Sequence, residues 1–179
     1  MKKNKSPNKT LIILVVLALT FVIILILALR TNNNTTTPPS QTNTSDDGKQ
    51  MKQFQSKDLK FVVIVPQDFT IKSSTTGVDL IKNGASIEIV RNGTQFLTLS
   101  EYLNNFDNRR DIEIKTSENI NISGHKTLIR NEKRIIGKEI KNIKAYYIWI
   151  DGIIYIISTS SPSLFSALDQ IAQSFRYTP

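Results

Sequence analysis

Residues 144–158 read KAYYIWIDGIIYIIS, two apolar runs joined by Asp151-Gly152. An Asp-Gly pair accepts the positive φ of a two-residue type I′ turn, so the pattern predicts a β-hairpin. Such a turn sets Ile150 opposite Ile153, Trp149 opposite Ile154, Ile148 opposite Tyr155 and Tyr147 opposite Ile156. Successive residues of a strand face opposite ways, which puts Tyr147 and Trp149 on one face and Ile148 and Ile150 on the other. Both faces are apolar. A strand pair that needs cover on both sides belongs at the centre of a sheet rather than at its edge.

The flanking sequence supplies covers and further strands. Ser161 is placed to cap a helix with Pro162 in its first turn, and Leu164, Leu168, Ile171 and Phe175 then recur at helical spacing. Upstream, Thr98-Leu-Ser-Glu101 has the capping-box pattern, which predicts a short helix over residues 99–108 with Tyr102, Leu103 and Phe106 along one face. VDLIK and ASIEIVR flank Asn83-Gly84 and read as a second hairpin. LKFVVIVP, stopped by Pro66, reads as an opening strand with FTIKSS as its partner after a Gln67-Asp68 turn. DIEIK, NINI and KTLIR read as three short strands, with Gly124 bending the chain between the last two. The expected fold is α+β, an antiparallel sheet covered by helices in an α/β/α sandwich.

The order of FVVIVPQDF, a long extended middle, Ile122-Ser-Gly124, the paired strands around Tyr155 and a closing helix ending Gln173-Ser-Phe-Arg176 resembles the PsbP/Mog1-like domain family over about residues 57–178. The resemblance implies an antiparallel sheet sandwiched between helices, in a family whose members mostly act as binding or accessory domains. It implies no particular partner, because fold and function separate readily.

The N-terminal third sets the expected location. Leu11–Leu29 is interrupted only by Thr20, and sixteen of its nineteen residues are Leu, Ile, Val or Phe. A helix of that length spans about 28 Å, the thickness of a bilayer's hydrocarbon core, and its insertion is favourable by roughly 5–10 kcal/mol. Lys2, Lys3, Lys5 and Lys9 precede it while Arg30 alone follows, an asymmetry that keeps the N-terminus in the cytoplasm. A cleaved signal has a shorter apolar region and a small-residue cleavage site, whereas Arg30 stands where the cut would fall. The reading is therefore a cytoplasmic segment at 1–10, an uncleaved transmembrane anchor at 11–29, a disordered Asn/Thr/Pro-rich stalk at 30–56 and an extracytoplasmic domain at 57–179. The expected location is the cell membrane, crossed once.

The net charge of +8 divides along the chain as +5 for residues 1–30, −1 for 31–50 and +4 for 51–179, so most of the excess serves topology. Cysteine is absent, which excludes disulfides, thiol catalysis and a lipid-bearing cysteine. The single histidine, His125, has no second histidine to complete a zinc site and reads as a polar turn residue. Asp107, Asp111 and Glu113 read as solvated charges at a helix end rather than a cation site. Asp79, Glu88 and Asp151 are scattered over hairpins, and no P-loop, G-x-S-x-G or dinucleotide-binding motif occurs. No catalytic, metal or cofactor residue is nominated, and the chain is not expected to be an enzyme.

One cluster has the composition of a binding patch. RNEKRIIGKEIKNIK, residues 130–144, contains Arg130, Lys133, Arg134, Lys138, Lys141 and Lys144 against two acids. These six could meet anionic lipid headgroups, wall polymer or an acidic protein, with salt sensitivity over about 8 Å. The plainer alternative is a solvated strand connection whose lysines discourage edge pairing. Nucleic acid is not expected, since no aromatic residue is interleaved with the cations. The functional expectation is a membrane-anchored envelope protein with a non-catalytic binding domain for a protein or envelope component. The alternative is a binding module for a lipid or other apolar ligand, with a pocket between the sheet and the helix carrying Phe165 and Phe175; a third reading, a hydrolase using dispersed carboxylates, requires Asp and Glu side chains to converge in a cleft.

Overall fold

The computed structural model describes residues 42–44, 50–108 and 112–179. All belong to one compact unit, Pro38–Pro179. The expected membrane anchor at 11–29 lies outside the described residues. Among those described, no helix is long and apolar enough to cross a membrane.

In chain order the strands are β1 (Thr42–Thr44), β2 (Gln50–Ser56), β3 (Phe61–Pro66), β4 (Thr70–Ser73), β5 (Gly77–Lys82), β6 (Ala85–Gly93), β7 (Ile112–Ile122), β8 (His125–Ile136), β9 (Glu139–Ile150), β10 (Ile153–Thr159) and β11 (Arg176–Tyr177). The helices are α1 (Leu99–Asn108) and α2 (Phe165–Gln173), the latter preceded by a 3-10 turn at Pro162–Leu164. Seven strands form a large sheet in the order β4-β5-β6-β10-β9-β8-β7, and four form a small one, β1-β2-β3-β11. Every pairing is antiparallel.

The hairpin of residues 144–158 adopts the expected register, from Ile150 opposite Ile153 to Tyr147 opposite Ile156. Asp151 and Gly152 have φ of 43° and 77°, the left-handed pair that a type I′ turn requires. β10 is the fourth of the seven strands, at the sheet's centre. Its two faces are buried differently. On one, Tyr147 and Ile154 pack with Leu128, Ile143, Ala145 and Leu103 of α1. On the other, Ile148, Ile150, Tyr155 and Ile157 join Leu168, Ile171 and Ala172 of α2, Phe175, and Phe61, Val63 and Val65 of β3. The helices thus lie on opposite faces, and β3 shares the α2 side.

The closing Ser174-Phe175 pair fastens α2 to the small sheet. Ser174 Oγ accepts a hydrogen bond from the Ile64 amide at 2.8 Å, and the Phe175 ring stacks 5.8 Å from Phe61 and lies 5.0 Å from Tyr155. Tyr155 donates its hydroxyl to the Leu59 carbonyl at 2.7 Å, tying the central strand to the loop before β3. Pro66 and Phe69 close a tight turn, Phe69 N donating to Pro66 O, with the Phe69 ring buried. This turn carries the chain from the small sheet to the large one.

Four expectations are corrected. β4 is not the partner of β3: it pairs with β5, while β3 pairs with β2 and β11. β2 lies inside the stretch assigned to the stalk, because its alternation of Gln and Lys with Met51 and Phe54 is too polar to read as a strand. DIEIK and NINI form one strand, β7, with a bulge between Ile114 and Thr116. Ser161 makes no capping hydrogen bond, and its hydroxyl meets that of Ser163 instead.

Candidate functional site

Strand alternation separates the six cations of residues 130–144. Arg130, Arg134 and Lys141 share the face that carries α1, whereas Lys133 and Lys144 share the opposite one and Lys138 sits in the β8–β9 turn. Five of the six have a carboxylate neighbour. Lys133 is 3.5 Å from Glu113 and Lys141 is 3.3 Å from Glu139, both exposed pairs of small energetic weight. Lys144 donates to Asp169 of α2 at 2.7 Å, and the Tyr146 hydroxyl donates to the same carboxylate. Lys138 has no ion-pair partner among the described residues.

The two arginines belong to a buried network beneath α1. Arg130 Nη1 donates to both oxygens of Asp107 at 2.8 and 2.9 Å, fixing the end of the helix to β8. Arg134 donates to Glu132 and, at 2.6 Å, to the Tyr147 hydroxyl, which itself donates to Glu132 at 2.8 Å. The guanidinium of Arg134 stands 5.3 Å from the Phe106 ring, and that of Arg130 stands 5.7 Å from Tyr147. Burial pushes the Tyr147 hydroxyl well above the ordinary tyrosine range, with Arg134 opposing the shift and Glu132 adding to it. Among the described residues, one Glu132 oxygen and the Arg130 Nε are buried without a hydrogen-bond partner. These two arginines therefore hold α1 on the sheet.

An open groove of about 470 Å³ lies between the β6–α1 loop and α1, lined by Gly93, Thr94, Gln95, Phe96, Tyr102, Asn105 and Phe106. Two features of the local sequence shape it. Thr94 N donates to Gly152 O at 2.9 Å and its hydroxyl accepts from Phe96 N, which folds the β6–α1 loop back on the central hairpin. The capping box then forms: Glu101 N donates to Thr98 Oγ1 at 3.2 Å, and Glu101 Oε2 accepts from Leu97 N. Of the stripe expected to face the core, Leu103 alone is buried among Tyr102, Leu103 and Phe106. The other two join Phe96 in an aromatic row, Phe96–Tyr102 edge-on at 6.3 Å and Tyr102–Phe106 stacked at 6.0 Å. Gln95 and Asn105 complete the lining. Tyr102 packs at the margin of the core beneath α1 and Phe106 lies edge-on to Tyr147 at 6.4 Å, so the spacing that marks a core-facing stripe also builds the aromatic wall of the groove.

The remaining candidates do not converge. Asp107 is bound by Arg130, Glu113 lies between Lys115 and Lys133, and Asp111 is outside the described residues. His125 is half-buried, edge-on to Tyr177 at 6.4 Å, where it packs β8 against β11. Asp79 and Glu88 face each other across β5 and β6, both exposed, while Asp151 occupies the distant β9–β10 turn. No cluster of three metal-ligating side chains occurs among the described residues. The apolar pocket expected under α2 is corrected as well: Leu168, Ile171, Ala172 and Phe175 are completely buried against the sheet, and the interface is filled. Phe165 is partly exposed beneath Lys144.

Comparison with solved structures places the fold. Cyanobacterial PsbP (CyanoP) from Synechocystis sp. PCC 6803 matches with a TM-score of 0.52 at 11% identity, over 82% of this chain and 97% of that one. A protein of unknown function from Pseudomonas aeruginosa matches at 0.47 and 18% identity, over 72% and 98% of the two chains. LpqN, involved in cell envelope biogenesis of Mycobacterium tuberculosis, matches at 0.45 and 12% identity, over 79% and 91%. No protein-family model matches the chain, and no curated protein matches its sequence. The domain has a PsbP-like fold.

Proposed function

We propose that this is a single-pass, membrane-anchored envelope protein whose extracytoplasmic PsbP-like domain is a non-catalytic binding module for a protein or envelope component, engaged at the Phe96–Phe106 groove. The observation that carries the proposal is the groove itself. It is lined by an aromatic row together with Gln95 and Asn105, and flanked by a helix whose arginine contacts are internal. Flat rings with a few oriented polar groups are the usual lining of a recognition site. The apolar run at 11–29 and its lysine flank support the anchor.

The test is capture of a partner from envelope extracts by a fragment starting at Pro38, which contains both core clusters and every strand pairing. Asn105→Ala and Tyr102→Ala should each reduce capture at least tenfold while the fragment stays folded. Failure to capture any component, or capture indifferent to both substitutions, would refute the groove. The anchor is tested by the mass of the membrane-extracted full chain, where loss of about 3 kDa would show cleavage of a signal peptide.

A further inference from the structure

The groove between the β6–α1 loop and α1 has a chemical character that narrows its occupant. None of the residues that line it is charged: the rings of Phe96, Tyr102 and Phe106 share it with Thr94, Gln95 and Asn105. The charges nearest to it are committed elsewhere. The charged side chains of α1 are Glu101 and Asp107, the first accepting from the Leu97 amide and the second from Arg130. Arg134, 5.3 Å from the Phe106 ring, donates to Glu132 and to Tyr147. The lining therefore has no side chain to answer a phosphate, a carboxylate or an ammonium group, which sets aside anionic headgroups, acidic polymers and charged peptides. An acyl chain is set aside for the opposite reason, since covering Gln95 and Asn105 with hydrocarbon leaves their amides without hydrogen-bond partners. A peptide that pairs through its main chain needs a free strand edge, and β6, which leads into the groove, lies inside the sheet between β5 and β10.

We propose that the groove takes an uncharged glycan chain. A pyranose ring divides as the lining does, into a face of C–H groups and a rim of hydroxyls. The C–H face packs on the electron-rich face of an aromatic ring. The rim both donates and accepts hydrogen bonds, as do the side-chain amides of Gln95 and Asn105 and the hydroxyls of Thr94 and Tyr102. A volume of about 470 Å³ falls within the range usual for small-ligand sites, and an open groove admits a chain that continues past it on either side. The inference deepens the proposed function and rests on it: the envelope component engaged at Phe96–Phe106 is a neutral saccharide.

The test is calorimetric titration of the full chain, held in a detergent without a sugar headgroup, with neutral oligomers of glucose and of N-acetylglucosamine and with anionic oligogalacturonate. A neutral oligomer should bind with an affinity that stays constant as salt rises, because no charge pair contributes, and oligogalacturonate should bind at least tenfold more weakly. Two variants keep the volume and apolar character of the lining while removing what a sugar needs. Tyr102→Leu removes the ring and Asn105→Leu removes the amide, and leucine is a good helix former at both positions. Each should weaken the neutral oligomer at least tenfold, while a thermal melt close to the parent's shows that the fold is kept. No binding of either neutral oligomer, binding that the leucine changes leave equal or strengthen, or binding that salt abolishes would each overturn the proposal. A protein captured from envelope extracts through Tyr102 and Asn105, with no oligosaccharide binding, would overturn the glycan and leave the groove as a recognition site, so the two readings fail separately.

Discussion

Glu132 carries a carboxylate into the interface between α1 and the sheet with one of its two oxygens lacking a hydrogen bond. Removing one partner of a buried ion pair leaves the other uncompensated, at a cost of about 3–5 kcal/mol, whereas replacing the whole set with apolar groups is often nearly neutral. Glu132→Leu alone should therefore destabilise the domain by about that amount in denaturant titration. Glu132→Leu with Arg134→Met and Tyr147→Phe should recover most of the loss, and a triple variant no better than the single one would show that the network contributes net stability. The tyrosines give a second prediction. Tyr146, Tyr147 and Tyr155 are all held protonated above their ordinary value of 10, each chiefly by burial. The unfolded chain releases these protons near pH 10 and the folded chain does so later, so their contribution is fully present below pH 10 and is lost as pH rises beyond it. Denaturation midpoints should be insensitive to tyrosine ionisation from pH 7 to 9 and fall steeply above pH 10, less steeply in Tyr146→Phe. An identical slope in that variant would remove Tyr146 from the explanation.

At the scale of elements, what was legible is what local physics decides. The Asp151-Gly152 turn fixes its own register, the Thr98–Glu101 box fixes the start of α1, and the Leu164–Phe175 stripe needs no knowledge of its partner to be recognised as one. What could not be read depends on distant neighbours. β3 satisfies its backbone with β2 and β11, the latter more than a hundred residues away, and nothing in FVVIVP distinguishes those partners from FTIKSS. β2 itself was hidden because composition classifies QMKQFQS as tether, although Met51 is buried and Phe54 lies edge-on to Phe61 at 6.1 Å. A fragment beginning at residue 57 would lose the six pairs from Met51–Pro66 to Ser56–Phe61 and expose one edge of β3. It should melt well below the Pro38 fragment, by an amount equivalent to about 3–5 kcal/mol if the lost packing resembles a large-to-small core change. Equal midpoints would mean that β2 adds nothing to the fold.

Across the whole molecule, the basic cluster shows why a site is harder to read than a fold. Six cations in fifteen residues look like one patch in the sequence, but a period of two distributes them over both faces of the sheet and a turn. The groove draws residues from a loop and a helix, a property of the assembly that no local pattern encodes. The central position of β10 has a consequence in time. β4, β5 and β6 form one local meander and β7, β8 and β9 another, yet the two halves join only when Ile153–Ser158 pairs with Glu88–Gly93. The small sheet likewise waits for Arg176 and Tyr177. Long-range pairings of this kind carry a loop-closure cost that local contacts do not. A growing chain therefore holds two half-sheets with open apolar edges until β10 has been made, and the interval before the halves join is when the domain is most exposed to aggregation.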